Sequence, residues 1–206
     1  MAVFTEGDWY SALLKDKYTI QEGINEEKVP LKCRVERAQT NLNWENIWRL
    51  IRLPGLGPEY VSFLFKLVHD ILVTQERLSR INPGTSATCK IPGCSTQAVE
   101  DQVHALVTCE GNNGAGNEVM KCLRHIVPDL SVEAALRLDV QLDEALELPF
   151  VWFSAAAFQA IWELRSKGKK VELYKIRSQI ESKICLLRKT SHINCITMLD
   201  ILVKEL

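Results

Sequence analysis

With 206 residues, 47% of them hydrophobic and 25% charged, the chain has enough apolar material for a core in one large or two small domains. A net charge of −1 gives no global electrostatic case for nucleic acid. The opening Met1-Ala2-Val3-Phe4-Thr5-Glu6 has no basic and apolar stretch of the signal-peptide kind, and the most apolar run, 148–164, is shorter than the roughly 20 residues a bilayer needs; the chain reads as intracellular, with reduced thiols and no membrane partner.

In chain order, Thr5 can cap a helix over 5–17, and the polar stretch 21–30, with Gly23 and Pro30, reads as a linker. Asn43 caps the next helix, whose buried side is Trp44, Ile47, Trp48 and Ile51, and Leu53-Pro54-Gly55 stops it. Gly57-Pro58 starts a third, with Pro where its missing N–H costs nothing, running to about Val73. Apolar residues cover more than one side of it, which marks a core helix. His69 sits among them and reads as a core histidine. Thr74 caps a short helix through Ile81, and Asn82-Pro83-Gly84 ends it.

Four ligand-type residues follow: Cys89, Cys94, His104 and Cys109, spaced C-x4-C-x9-H-x4-C. Three thiols and an imidazole form a complete tetrahedral set for one structural Zn²⁺. Lys90-Ile91-Pro92-Gly93 can fold into a tight knuckle, since Pro presets φ and Gly permits φ > 0. Residues 100–109 read as a short helix opened by acids, with Glu100 at its start or behind the ligands. Seven cysteines, an odd number, argue against a disulfide framework. Cys33, Cys122, Cys185 and Cys195 read as buried small hydrophobes, and Cys122 with His125 as substitute ligands.

Beyond the ligands, Gly111-Asn112-Asn113-Gly114-Ala115-Gly116 lacks the strand and the Gly-Lys-Ser/Thr of a phosphate loop and reads as a flexible connector. Asn117 can cap a helix to Val127, and Ser131 a shorter one. Leu136, Leu138, Val140 and Leu142 alternate in a brief strand pattern on which the fold reading does not rely. Residues 148–167 form an aromatic-rich helix with small residues at Ser154-Ala155-Ala156-Ala157, closed by Gly168. The last long helix starts at Lys169, with Leu173, Ile176, Ile180, Ile184 and Leu187 in one apolar stripe, and residues 192–206 form a final short helix.

Charge is uneven. Ten acids between 98 and 149 stand against Lys121, Arg124 and Arg137, whereas nine Lys and Arg between 165 and 189 stand against Glu172 and Glu181. Arg165, Lys167, Lys169, Lys170, Lys175 and Arg177 are therefore the candidate phosphate contacts, although a solvated, ion-paired surface fits the same residues. No Gly-x-Ser-x-Gly, His-Glu-x-x-His, Walker loop or dinucleotide fingerprint occurs, so the chain reads as a non-enzyme without a small-molecule substrate.

The segment 42–109 carries Trp44-Glu45-Asn46-Ile47-Trp48, then the run from Ser62-Phe63-Leu64-Phe65-Lys66-Leu67-Val68-His69 to Leu78, then Cys89, Cys94 and Glu100-x3-His104-x4-Cys109. In these it resembles the zinc-binding region that follows the reverse transcriptase in non-LTR (LINE-type) retrotransposon proteins. Val73 stands where that family usually has Pro, so the preceding helix is expected to run on without a break, and the x4 cysteine gap exceeds the family's common x2. The resemblance implies an accessory domain that helps a reverse-transcriptase polypeptide hold RNA or DNA.

The expected architecture is mostly α, a multi-helix bundle with an embedded CCHC zinc knuckle. Residues 1–30 would be an N-terminal helix and linker, 31–127 a helical zinc-binding domain, and 128–206 a C-terminal bundle packed on it. The expected function is a non-catalytic, zinc-stabilised domain binding RNA or DNA through basic helices. The alternative is a protein-interaction or dimerisation module using the apolar face of the C-terminal helices, with a purely structural zinc.

Overall fold

The computed structural model describes residues 42–82, 84–188 and 193–206. The helix expected over 5–17, the linker after it and Cys33 lie outside them. The described chain is mostly helical and, among these residues, has no strand beyond an isolated antiparallel bridge between Thr88 and Val99. Eight α-helices are described: α1 (Trp44–Ile51), α2 (Pro58–Val68), α3 (Gln75–Ile81), α4 (Ala115–Ile126), α5 (Val132–Arg137), α6 (Glu144–Ser166), α7 (Leu173–Leu187) and α8 (Ile193–Glu205).

The caps explain most boundaries. Asn43, Thr74 and Ser131 each accept the backbone N–H three residues on, as their sequence positions predict for α1, α3 and α5. The expectation that α2 runs to about Val73 fails. The Asp70 N–H bonds to the Leu67 carbonyl and the Ile71 N–H to the Lys66 carbonyl, with Asp70 left-handed at φ 52°. This Schellman closure stops the helix without proline or glycine, because Asp tolerates the left-handed region better than most residues. Gly168, at φ 62°, closes α6 in the same way, through Gly168 N–H to Arg165 and Lys169 N–H to Leu164.

Helix α6 is the centre of the core. It contacts α1, α2, α4, α7 and α8. Phe150, Trp152, Phe153 and Phe158 are buried along it, and the Ala155-Ala156-Ala157 run lets neighbouring helices approach closely. At 23 residues, α6 is long and apolar enough to cross a membrane, but 72% of its most apolar stretch is buried inside the molecule. It begins one turn earlier than expected, with Pro149 in its second turn. Glu147 explains the extension: it receives both Arg49 terminal nitrogens at 2.5 Å, tying α1 to α6.

Residues 43–206 form one compact unit, in which α6 packs on helices from both sides of Val127. Ile176, Ile180 and Ile184 of α7 and Leu199 and Leu202 of α8 are buried. The strand pattern at 136–142 is not a strand: Leu136 lies in the last turn of α5 and Leu138 turns left-handed at φ 55°. His69 is buried within about van der Waals reach of three aromatic rings, with centroids 5.5, 5.3 and 4.5 Å from Trp44, Trp48 and Phe65.

The glycine-rich stretch is packed, not a flexible connector. Asn113 and Gly114 turn left-handed, and α4 then starts at Ala115, two residues before the expected Asn117 cap. A Cβ on Gly116 would lie 2.2 Å from the Leu106 carbonyl oxygen and 2.4 Å from Val107 Cα. Both are backbone atoms and cannot rotate away. Gly116→Ala is therefore expected to cost about 3 kcal/mol, the upper end for overpacking, read as a lower urea midpoint at unchanged slope; a midpoint equal to wild type would show that the two segments separate freely.

Candidate metal centre

The first pair of ligands is set by a turn. Pro92 and Gly93 take its two central positions, with Gly93 at φ 86° and the Cys94 N–H bonded to the Ile91 carbonyl at 3.1 Å. The chain then returns antiparallel: Cys89 N–H bonds to Ala98, and Glu100 N–H to Ala87, both at 2.9 Å. This return fixes Cys89 and delivers Glu100 close behind it.

The second pair comes from a helical turn of unusual pitch. Residues His104–Thr108 form a π-turn, and the Cys109 N–H bonds to the His104 carbonyl at 2.9 Å, five residues back. In an α-helix, residues five apart point about 140° away from each other. The wider π-turn brings His104 and Cys109 to one side, so the x4 gap that departs from α-helical spacing is met by the backbone. Asp101, one of the acids expected to open this helix, accepts the His104 N–H at 2.7 Å.

All four ligand atoms of Cys89, Cys94, His104 and Cys109 lie within 4.8 Å of one another. The Cys89 and Cys109 sulfurs are 3.7 Å apart, and Cys94 Sγ lies 3.5 Å from His104 Nε2. The four predicted ligands thus converge and can hold a metal ion. Cys122 is buried elsewhere in α4 and does not join them. Cys195 is buried as expected, whereas Cys185 is exposed, a correction, because it falls on the outer side of α7 opposite the isoleucine stripe.

Contacts behind the ligands were only partly legible. Glu110, next to Cys109, accepts from Ser95 N–H at 3.0 Å and Ser95 Oγ at 2.5 Å, stapling the two ligand pairs together. Those hydrogen bonds hold its carboxyl below the usual range. Gly111 passes so close to the knuckle that a Cβ would meet Ile91 Cγ2 at 2.6 Å. Asn112 is fully buried and donates to the Ala105 carbonyl at 2.8 Å. The sequence holds no periodicity that marks Asn112 or Gly111, because their role depends on a fold-back between distant segments.

Arg165 is the main correction among the predicted contacts. Its side chain is only 3% exposed and pairs with Glu100 at 3.1 Å, so it cannot meet a phosphate at the surface. It also donates to Asn112 Oδ1 at 2.9 Å and lies 3.7 Å from Cys89 Sγ. Burial works against its charge, but hydrogen bonds to Cys109 and Cys89 and the charge of Glu100 outweigh this and hold the guanidinium above its ordinary value. The remaining candidates are accessible and mostly paired: Lys167 with Glu163, Lys170 and Lys175 with Glu172, and Arg177 with Glu181. Lys169 is exposed and makes no ion pair among the described residues.

Two of the thiols differ in acidity. Burial pushes Cys89 up to about 12, while a hydrogen bond from the Thr96 side chain lowers Cys94. Since the thiolate is the nucleophile, Cys94 is expected to be alkylated by iodoacetamide before Cys89 at pH 8 after metal removal, as read by peptide mass spectrometry; equal rates would contradict this ordering. Comparison of the chain with protein-family models, curated protein sequences and solved structures finds no match.

Proposed function

We propose that the chain is a non-catalytic, zinc-stabilised accessory domain that contacts RNA or DNA through exposed lysines and arginines. The convergence of Cys89, Cys94, His104 and Cys109 carries the metal part of this reading. Three thiolates and one imidazole suit borderline-soft Zn²⁺, and a set of four protein ligands leaves no open position for a reacting water. On a tetrahedral zinc with Zn–S of about 2.3 Å, two sulfurs lie about 3.7 Å apart and a sulfur and a nitrogen about 3.6 Å. The 3.7 and 3.5 Å separations here are close to those edges.

The nucleic-acid part draws on the resemblance to retrotransposon zinc regions and on the cations that follow α6. Lys167, Lys169, Lys170, Lys175 and Arg177 remain candidates once Arg165 is assigned to the interior. The ion pairs of Lys167, Lys170, Lys175 and Arg177 with Glu163, Glu172 and Glu181 compete with phosphate, so binding is expected to be weak, salt-sensitive and largely independent of sequence. The stripe that a dimerisation module would use is turned inward at Ile176, Ile180 and Ile184, which favours the nucleic-acid reading over the interaction module.

Two measurements separate the parts. Protein purified without added metal should contain one zinc per chain by atomic emission, and Cys94→Ser should lower that content; wild type without zinc, or an unchanged variant, contradicts the metal assignment. In low salt, a fluorescent single-stranded RNA or DNA should bind, and neutralising Lys169, Lys170 and Arg177 together should weaken it by roughly tenfold or more. Absence of binding, or indifference to the triple substitution, contradicts the nucleic-acid part alone.

A further inference from the structure

The core helix and the ligand cluster meet at one buried cation. Arg165 lies in the last turn of α6, far in sequence from the ligands, yet its Nη2 is 3.7 Å from Cys89 Sγ. The same nitrogen lies 3.1 Å from Glu100 Oε2, and Nη1 donates to Asn112 Oδ1 at 2.9 Å. Asn112 is fully buried and holds the π-turn through its bond to the Ala105 carbonyl, between His104 and Cys109. One guanidinium thus touches, directly or through one residue, both halves of the ligand set.

A buried arginine needs its charge balanced and its donors matched. Glu100 supplies the balance and Asn112 one acceptor, but the remaining contact goes to sulfur. A neutral thiol accepts poorly, whereas a thiolate held by a metal is an anionic acceptor. Three thiolates, one neutral imidazole and a divalent ion leave a net charge of −1, which a guanidinium at 3.7 Å opposes.

Resting on the zinc reading above, we propose that Arg165 is a positioning residue of the metal centre, linking metal occupancy to the docking of the C-terminal turn of α6. Linkage makes this reciprocal: the stabilisation that the metal-bound thiolate gives the docked arginine returns as metal affinity. Gly168 and the cations Lys167, Lys169 and Lys170 follow directly on this turn. Metal removal therefore loosens the end of α6 and the basic segment it carries.

The test measures zinc affinity of the full chain by competition with a chromophoric chelator for wild type, Arg165→Met, Arg165→Lys and Glu100→Gln, each checked for helicity by circular dichroism. Arg165→Met is expected to weaken zinc by about 10–100-fold, the range for residues that orient metal ligands. Arg165→Lys, which keeps the charge and loses the fork, should fall between it and wild type. Glu100→Gln should bind at least as tightly as wild type, because it removes a carboxylate that competes with the thiolates for the guanidinium. A packing role alone, indifferent to charge, would weaken Arg165→Lys as much as Arg165→Met. That result, or an Arg165→Met affinity within about threefold of wild type, overturns the proposal while leaving the zinc reading intact; a wild type that takes up no zinc overturns both. If Arg165→Met does not fold, Arg165→Lys replaces it, with a loss of about threefold or more expected and wild-type affinity overturning the proposal. Amide exchange supplies the second readout: chelation should speed exchange over residues 160–168 in wild type and leave Arg165→Lys less affected, whereas equal responses would overturn the linkage.

Discussion

Four ligand atoms from two separate backbone segments must converge within 4.8 Å, and much of the local structure follows from that constraint. A turn with Pro92 and Gly93 at its centre and an antiparallel return supply one pair. A π-turn supplies the other. The close passage of Gly111 over Ile91 brings the two pairs together, and that of Gly116 over Leu106 and Val107 seats α4 on the π-turn; a methyl group would fit at neither. The glycines in this region act through close approach and not through flexibility. A π-turn is poorer in hydrogen-bond geometry than an α-helix and persists where surrounding contacts favour it; here the Asp101 side chain and Asn112 hold it on either side.

The cluster lies against the compact helical unit and is not an appendage of it. Helix α6 buries its aromatic residues against α1, α2, α4, α7 and α8, and ends in Arg165 beside Cys89. A domain of this size does not need a metal to exist, but the segment 84–99 contains no helix and none of its residues is fully buried. A metal at the four ligands stabilises the part of the chain that hydrophobic burial stabilises least.

The ligand set, most caps and the aromatic-alanine helix were legible, because each rests on local chemistry: donor type and spacing, a side-chain oxygen before a helix, a run of small and aromatic residues; that α6 and not α2 is the centre of the core was not, since apolar residues on more than one side mark both. Other features depended on partners far along the chain. The end of α2 was misplaced because Asp70 closes it without the Pro or Gly that marks such stops. The stretch 111–116 looked like a linker because composition does not show what a glycine packs against. Arg165 was grouped with surface cations because its acceptors, Glu100, Asn112 and Cys89, lie more than fifty residues away. The x4 gap between His104 and Cys109 was readable as a ligand spacing, but the π-turn that serves it was not, since spacing alone does not fix helical pitch.

Cys89, Cys94, His104 and Cys109 converge as a metal-ligand set, and the proposal built on them is that they hold one structural zinc. X-ray absorption at the zinc edge on the purified protein tests it most directly, because it counts the first-shell atoms by type. The account predicts three sulfurs at about 2.3 Å and one imidazole nitrogen at about 2.0–2.1 Å, with no water. A shell rich in oxygen, or one with fewer than three sulfurs, would contradict it.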